Sequence, residues 1–300
     1  MAGVMPVAPE HNIREEAVLL GPHGRLVGVV SEPAAPVGDR PAFVLLNAGL
    51  VHRVGPNRTT VRLARALAAR GFLVLRFDHS AVGDSRLAGP PGDTSLAALE
   101  AEPRQAMEWL RERRGARRFV LGGLCSGALH GLRAARDAPD VAGLLLLGMP
   151  PPRDGRRARV MARHYARLAF RSSFRGQSWR SLASLNVDLR RLAATAGGLA
   201  FGWALAARRD ARPDTRPDDL QAARARGVRL LVLHAEGDEG LDHTRDVLAA
   251  LPALPGEPAP PIEVIRGADH QFTLASNQAA LLEAVLRWAA TLEQPLTARA

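Results

Sequence analysis

Apolar residues recur along this chain in two rhythms. Short runs at 42–46, 72–77, 119–124, 141–148, 228–233 and 262–265 carry few charges and no regular alternation. A strand covered on both faces by helices reads this way, whereas a strand wet on one side alternates apolar and polar positions. Between these runs, 59–69, 95–114, 126–135, 244–251 and 273–292 repeat apolar residues every three or four positions, the period of a helix with one buried face. Gly71 follows the first of these helices as a C-cap, and Pro103 lightly breaks the second. The chain opens on two strand-like stretches, 15–20 and 25–32, flanking the turn tetrapeptide Gly21-Pro22-His23-Gly24, which predicts a β-hairpin. Strands alternating with helices predict a mostly parallel sheet with helices on both faces.

The alternation stops between about 150 and 226. That stretch reads as helical and is rich in arginine, with Asp188 the only acid between Gly155 and Arg209, and it holds Trp179, Trp203 and the sole tyrosine, Tyr165. The strand pattern resumes after it, which makes it an insertion in one domain. Residues 1–149 and 227–300 are expected to build one core, and 150–226 a helical lid over it.

The densest chemical signal lies at the end of the fifth run. There Gly123-Leu124-Cys125-Ser126-Gly127 places the only cysteine between two glycines, each two residues away, where a strand pattern gives way at once to a helix pattern. A chain that reverses within one residue holds that residue at strained positive φ, and side chains two positions to either side must be very small. Centring the pattern on Ser126 would put Leu124 and Ala128 at the small positions, so Cys125 is assigned as the nucleophile and Ser126 as a backbone donor. The following helix aims its N-terminal amides at the sulfur. A small buried apolar cysteine is the bland alternative.

Composition narrows the class. No lysine occurs, so all 40 basic residues are arginine, and against 30 acids they give a formal charge of +10. A bias toward arginine and alanine accounts for that excess, and no arginine–aromatic ladder, zinc spacing or recognition helix accompanies it, so no nucleic-acid partner is expected. One cysteine forms no internal disulfide, which suits a reducing compartment. The first 14 residues contain Glu10, His11 and Arg14 and lack an apolar core, and no run reaches the roughly 18–20 uncharged residues of a membrane span, so a cytoplasmic location without a transmembrane segment is expected.

Eight strands with an elbow after the fifth and an insertion after the sixth resemble the α/β-hydrolase fold over nearly the whole chain. In that family a nucleophile, an acid and a histidine follow one another at strand ends. The resemblance assigns Asp238, in Leu231-Val-Leu-His-Ala-Glu-Gly-Asp238, as the acid, with Glu236 and Asp242 as nearby carboxylates. It assigns His270, in Gly267-Ala-Asp-His270, as the base. It implies an oxyanion hole made by the amides of Ser126 and of Leu50, the latter in Asn47-Ala48-Gly49-Leu50, which replaces the family's usual His-Gly-x. The stretch 76–85 resembles the family's loop after the fourth strand, with Asp78 as a turn residue. His79, His130, His164, His234 and His243 are taken as structural or exposed.

Dienelactone hydrolases and polyhydroxyalkanoate synthases also carry cysteine at the elbow. Asn-x-Gly-x-x-His-Arg-x-Gly-Pro, the Cys-Ser-Gly elbow and the arginine-rich insertion are more similar to small serine-aminopeptidase-like hydrolases of bacterial biosynthetic clusters, including the exosortase-associated type. The resemblance implies hydrolysis of an ester or thioester through a Cys125–His270–Asp238 triad, with no cofactor or metal, on a small-molecule or carrier-bound acyl substrate. Transfer of the acyl group from coenzyme A or a carrier protein to an alcohol or amine is the alternative. His52, Arg53 and Arg58 either anchor a substrate carboxylate or phosphate or are surface residues of a chain that uses arginine throughout.

Overall fold

A computed structural model describes residues 13–34, 39–86, 96–152, 214–254 and 260–292. Eight strands form one sheet: β1 (Ile13–Leu20), β2 (Leu26–Pro33), β3 (Ala42–Leu46), β4 (Val74–Phe77), β5 (Phe119–Leu124), β6 (Val141–Leu147), β7 (Arg229–Ala235) and β8 (Ile262–Ile265). Their spatial order is β1-β2-β4-β3-β5-β6-β7-β8. β1, β2 and β4 pair antiparallel, and every pair from β4 to β8 is parallel. The described helices are α1 (Thr59–Ala69), α2 (Leu96–Arg114), α3 (Ser126–Ala134), α4 (Arg216–Ala225), α5 (Leu241–Ala249) and α6 (Ala275–Thr291).

The unalternating runs have the expected cause. All six residues of β5 and all seven of β6 are buried, because helices cover both faces. Successive side chains of one strand enter opposite layers. Val44 and Leu46 of β3 join a core with Met107, Leu110, Leu132, Leu220 and Val247, whereas Phe43 and Leu45 join one with Leu63, Leu67, Leu281 and Val285. Thus α2, α3, α4 and α5 lie on one side of the sheet, and α1 and α6 on the other.

Some boundaries move. β4 starts at Val74 rather than 72, α5 starts at Leu241, three residues earlier than the apolar period suggests, and α2 runs unbroken through Pro103. Of the insertion, residues 153–213 lie outside the described residues. Its described ends are stapled together: the Arg216 guanidinium donates to Pro150 O at 2.6 Å and to Asp214 Oδ1 at 2.6 Å, and His243 of α5 lies 2.9 Å from Asp214 Oδ2. Helix α4 continues into the core layer, burying Leu220 and Ala223. Among the described residues no helix is long and apolar enough to cross a membrane.

The fold positions a site at one place. From β3 the chain passes to β4 on one side, then crosses back to β5 on the other. At such a switch point the loops leaving the strand ends diverge and open a crevice. Helix α3 is seated unusually close to β5 there, since a Cβ on Gly131 would lie 2.8 Å from Gly122 Cα and 2.9 Å from Gly122 N. Gly131→Ala should therefore cost about 1–3 kcal/mol through overpacking. Urea denaturation measures it; an unchanged midpoint would mean that the helix has room to spare.

Candidate active site

Cys125 is the single residue between β5 and α3, with φ 60° and ψ −117°. Its amide donates to Leu147 O of β6 at 2.9 Å, which anchors the turn to the sheet. The flanking glycines are required by the end of β3. A Cβ on Gly123 would meet Leu46 O at 2.6 Å, and one on Gly127 would meet Leu46 O at 2.7 Å and Asn47 O at 2.8 Å. Ser126 is the first residue of α3, and its hydroxyl accepts from Gly49 N at 2.6 Å. That hydroxyl ties the β3 loop to the elbow, while the first amides of α3 have no acceptor within the helix.

The turn after β7 supplies Asp238, whose side chain is 1% exposed. Its Oδ1 lies 2.6 Å from His270 Nδ1, in the turn after β8. Glu236 and Asp242 are engaged elsewhere: Glu236 accepts from Gly267 N at 2.9 Å, and Asp242 lies 3.4 Å from Arg245. His270 Nδ1 bonds Asp238, and Cys125 is the other ionisable group that acts on its ring. With Nδ1 on the carboxylate, Nε2 is the ring nitrogen left for sulfur. The His270 side chain is 41% exposed, so its ring spans from a buried acid to an open mouth. Gly148, at φ 52°, floors this contact, since a Cβ there would lie 3.0 Å from Asp238 Oδ2 and 3.1 Å from His270 Cε1.

Electrostatics follow from this packing. Burial alone would raise the Asp238 pKa, but bonds from His234 and then His270 outweigh it and hold the carboxyl at about 2. The bond to Asp238, and then the influence of Cys125, push His270 from 6.5 up to about 10 against the opposing effect of burial.

The loop after β3 is held by a separate network. Asp78, fully buried beyond β4, accepts from Asn47 Nδ2 at 3.1 Å, Arg53 N at 2.5 Å, Asp84 N at 3.2 Å and the Arg53 guanidinium. Arg53 also bonds Asp84 at 2.8 Å. Its charge is thus matched by two carboxylates, and it serves the loop's shape. His52, Asp78 and Asp84 bring ligand-type atoms within 4.8 Å of one another, and the cation already among them is the Arg53 guanidinium. Arg58 is exposed and left-handed, with φ 60°, and its neighbour Asn57 donates to Gln271 O at 3.2 Å, beside His270. Leu50 is 89% exposed on the same loop.

Of the remaining histidines, His79 is buried 2.7 Å from Glu102, His243 bonds Asp214, and His164 lies outside the described residues. His234, taken as structural or exposed, is fully buried, and its Nδ1 reaches Asp238 Oδ2 at 3.0 Å. A histidine inside an otherwise apolar strand was the available signal, since both ring nitrogens need partners when buried.

No protein-family model matches the chain, and no curated protein matches it in sequence. Solved structures match it along nearly its whole length. A dienelactone hydrolase from Anabaena variabilis is 15% identical, with a TM-score of 0.58, over 94% of this chain and 99% of that one. A thermophilic esterase from Thermogutta terrifontis is 19% identical, with a TM-score of 0.54, over 94% and 100%. A proline iminopeptidase-related protein from Thermus thermophilus is 22% identical, with a TM-score of 0.52, over 93% and 98%. At these identities the likeness concerns architecture: the chain has the α/β-hydrolase fold.

The depressed Asp238 pKa carries a sign that can be measured. A carboxyl at about 2 when folded and 3.8 otherwise contributes stability that is present above 3.8 and lost as the pH falls toward 2. Asp238→Asn should cost about 2 kcal/mol near neutral pH, and the gap from wild type should shrink by about pH 3. Urea melts at several pH values test this; a gap independent of pH contradicts it.

Proposed function

We propose that the chain is a hydrolase of ester or thioester bonds that works through an acyl group carried on Cys125. What supports this reading above all is the His270 ring, held by a buried carboxylate and under the influence of the sulfur at a strained strand-to-helix turn. In the forward step the sulfur adds to the substrate carbonyl while His270, whose raised pKa lets it hold a proton at neutral pH, carries the thiol proton on Nε2. The tetrahedral oxyanion is met by the Ser126 amide at the positive end of α3 and by the Leu50 amide from the β3 loop; in other enzymes one such donor contributes about 2.7–4 kcal/mol. Asp238 holds the ring in its Nδ1–H form and stabilises the imidazolium. The imidazolium then protonates the departing alkoxide or thiolate, leaving a thioester on Cys125. In the second half His270 deprotonates water, which attacks the thioester, releases the carboxylic acid and restores the thiol.

Arg58, at the rim of the loop, would meet an anionic substituent on the substrate, whereas Arg53 faces its own carboxylates and His52 turns Nε2 to Asp84 at 3.3 Å. Transfer to an alcohol or amine would pass through the same acyl-enzyme. Among the described residues no feature favours such an acceptor over water.

Cys125→Ala should lower hydrolysis of p-nitrophenyl esters and acyl thioesters by about a thousandfold or more, and adding His270→Ala should lower it little further, because groups acting as a unit are not additive. Full turnover by Cys125→Ala would refute the reading.

A further inference from the structure

His234 is fully buried near the end of β7, and both of its ring nitrogens are engaged. Nδ1 lies 3.0 Å from Asp238 Oδ2, and Nε2 lies 3.1 Å from Thr244 Oγ1 of α5. An ionised carboxylate only accepts, so Nδ1 carries the hydrogen; in the Nδ1–H tautomer Nε2 accepts from the threonine hydroxyl. Thr244 thereby selects the tautomer that His234 needs to donate toward Asp238. The Ala235 amide donates to the same Oδ2 at 2.9 Å. Two donors hold Oδ2, and Oδ1 is left facing His270 Nδ1 at 2.6 Å.

The geometry points to His234, oriented by Thr244, as the positioning residue that fixes the Asp238 carboxylate for His270. This rests on the Cys125–His270–Asp238 chemistry proposed above and adds a second histidine to it. A carboxylate turns readily about its Cβ–Cγ bond. Without His234 only one backbone amide restrains Oδ2, and the oxygen that serves His270 is free to swing away. Among the described residues the ionisable groups facing Asp238 are His234 from β7 and His270 from the turn after β8, with Cys125 beyond His270. The turn after β6 contributes Gly148 and α5 contributes Thr244, neither of which titrates. The bond from His234 is also the larger of the two side-chain bonds that keep the Asp238 carboxyl ionised against burial.

The test compares His234→Leu, His234→Asn and Thr244→Val in the full-length protein, reading the His270 titration by NMR of labelled imidazole together with kcat and KM on a p-nitrophenyl ester. His234→Leu removes the donor and should lower the protonated-to-neutral ratio of His270 at a given pH about tenfold. It should also lower kcat about tenfold with KM unchanged. His234→Asn keeps an N–H near the place of Nδ1 and should restore both. Thr244→Val should move both in the direction of His234→Leu, and it decides the matter should the leucine variant not fold. Variants that lower the melting temperature while leaving the His270 titration and kcat at wild-type values would assign His234 a purely structural role and overturn the inference. The His270 titration is read on resting protein, so it judges His234 even if Cys125→Ala stays fully active and the hydrolase reading falls.

Discussion

The backbone of Cys125 stands at φ 60° and ψ −117°, a conformation that a residue with a side chain adopts only when its surroundings compel it. The compulsion comes from three directions. The Cys125 amide is held by Leu147 O, α3 leaves in the direction that the turn allows, and the carbonyl ends of β3 crowd the positions on either side so closely that only glycine fits at 123 and 127. Strain of about 1–3 kcal/mol is affordable here because buried strands on both sides fix the turn. What the strain achieves is position: the sulfur stands clear of the sheet, at the head of a helix and at the switch point where the loops part.

The electrostatic design runs outward from a buried charge. Asp238 is almost wholly removed from water, which by itself would favour the neutral acid, and only hydrogen bonds make it a stable anion. Those bonds come from two histidines with different surroundings. His234 is buried with both nitrogens satisfied, whereas His270 is 41% exposed and turns its far edge toward the mouth of the site. One ring can therefore hold the carboxylate while the other changes its protonation. A second buried carboxylate, Asp78, has a different use: with Arg53 and Asn47 it folds the β3 loop over the elbow.

Much of this was legible in the sequence, for identifiable reasons. Fully buried strands write themselves as unbroken apolar runs, so β3, β5 and β6 are visible without knowing their partners. The elbow is visible because close packing at Leu46 O demands glycine at fixed offsets from Cys125. What the sequence hides is pairing across distance. Nothing local distinguishes Asp238 from Glu236 or Asp242, and it is contact with a residue 32 positions away that does. Arg53 looks like an anion anchor until Asp78, 25 positions on, is seen to accept it. Nor does the sequence show that His234 reaches the second oxygen of Asp238, four positions on. Helix starts drift by a few residues because the first turn of α5 contributes little to the apolar period.

The central claim is that Cys125 carries the acyl group during turnover, and intact-protein mass measurement after brief exposure to a panel of acyl thioesters tests it most directly. The account predicts one added acyl mass, localised to Cys125 by peptide mapping and lost again in water. Acylation mapped to Ser126 or to any other residue, or turnover with no trace of an adduct on Cys125 even when rapidly quenched, would contradict it.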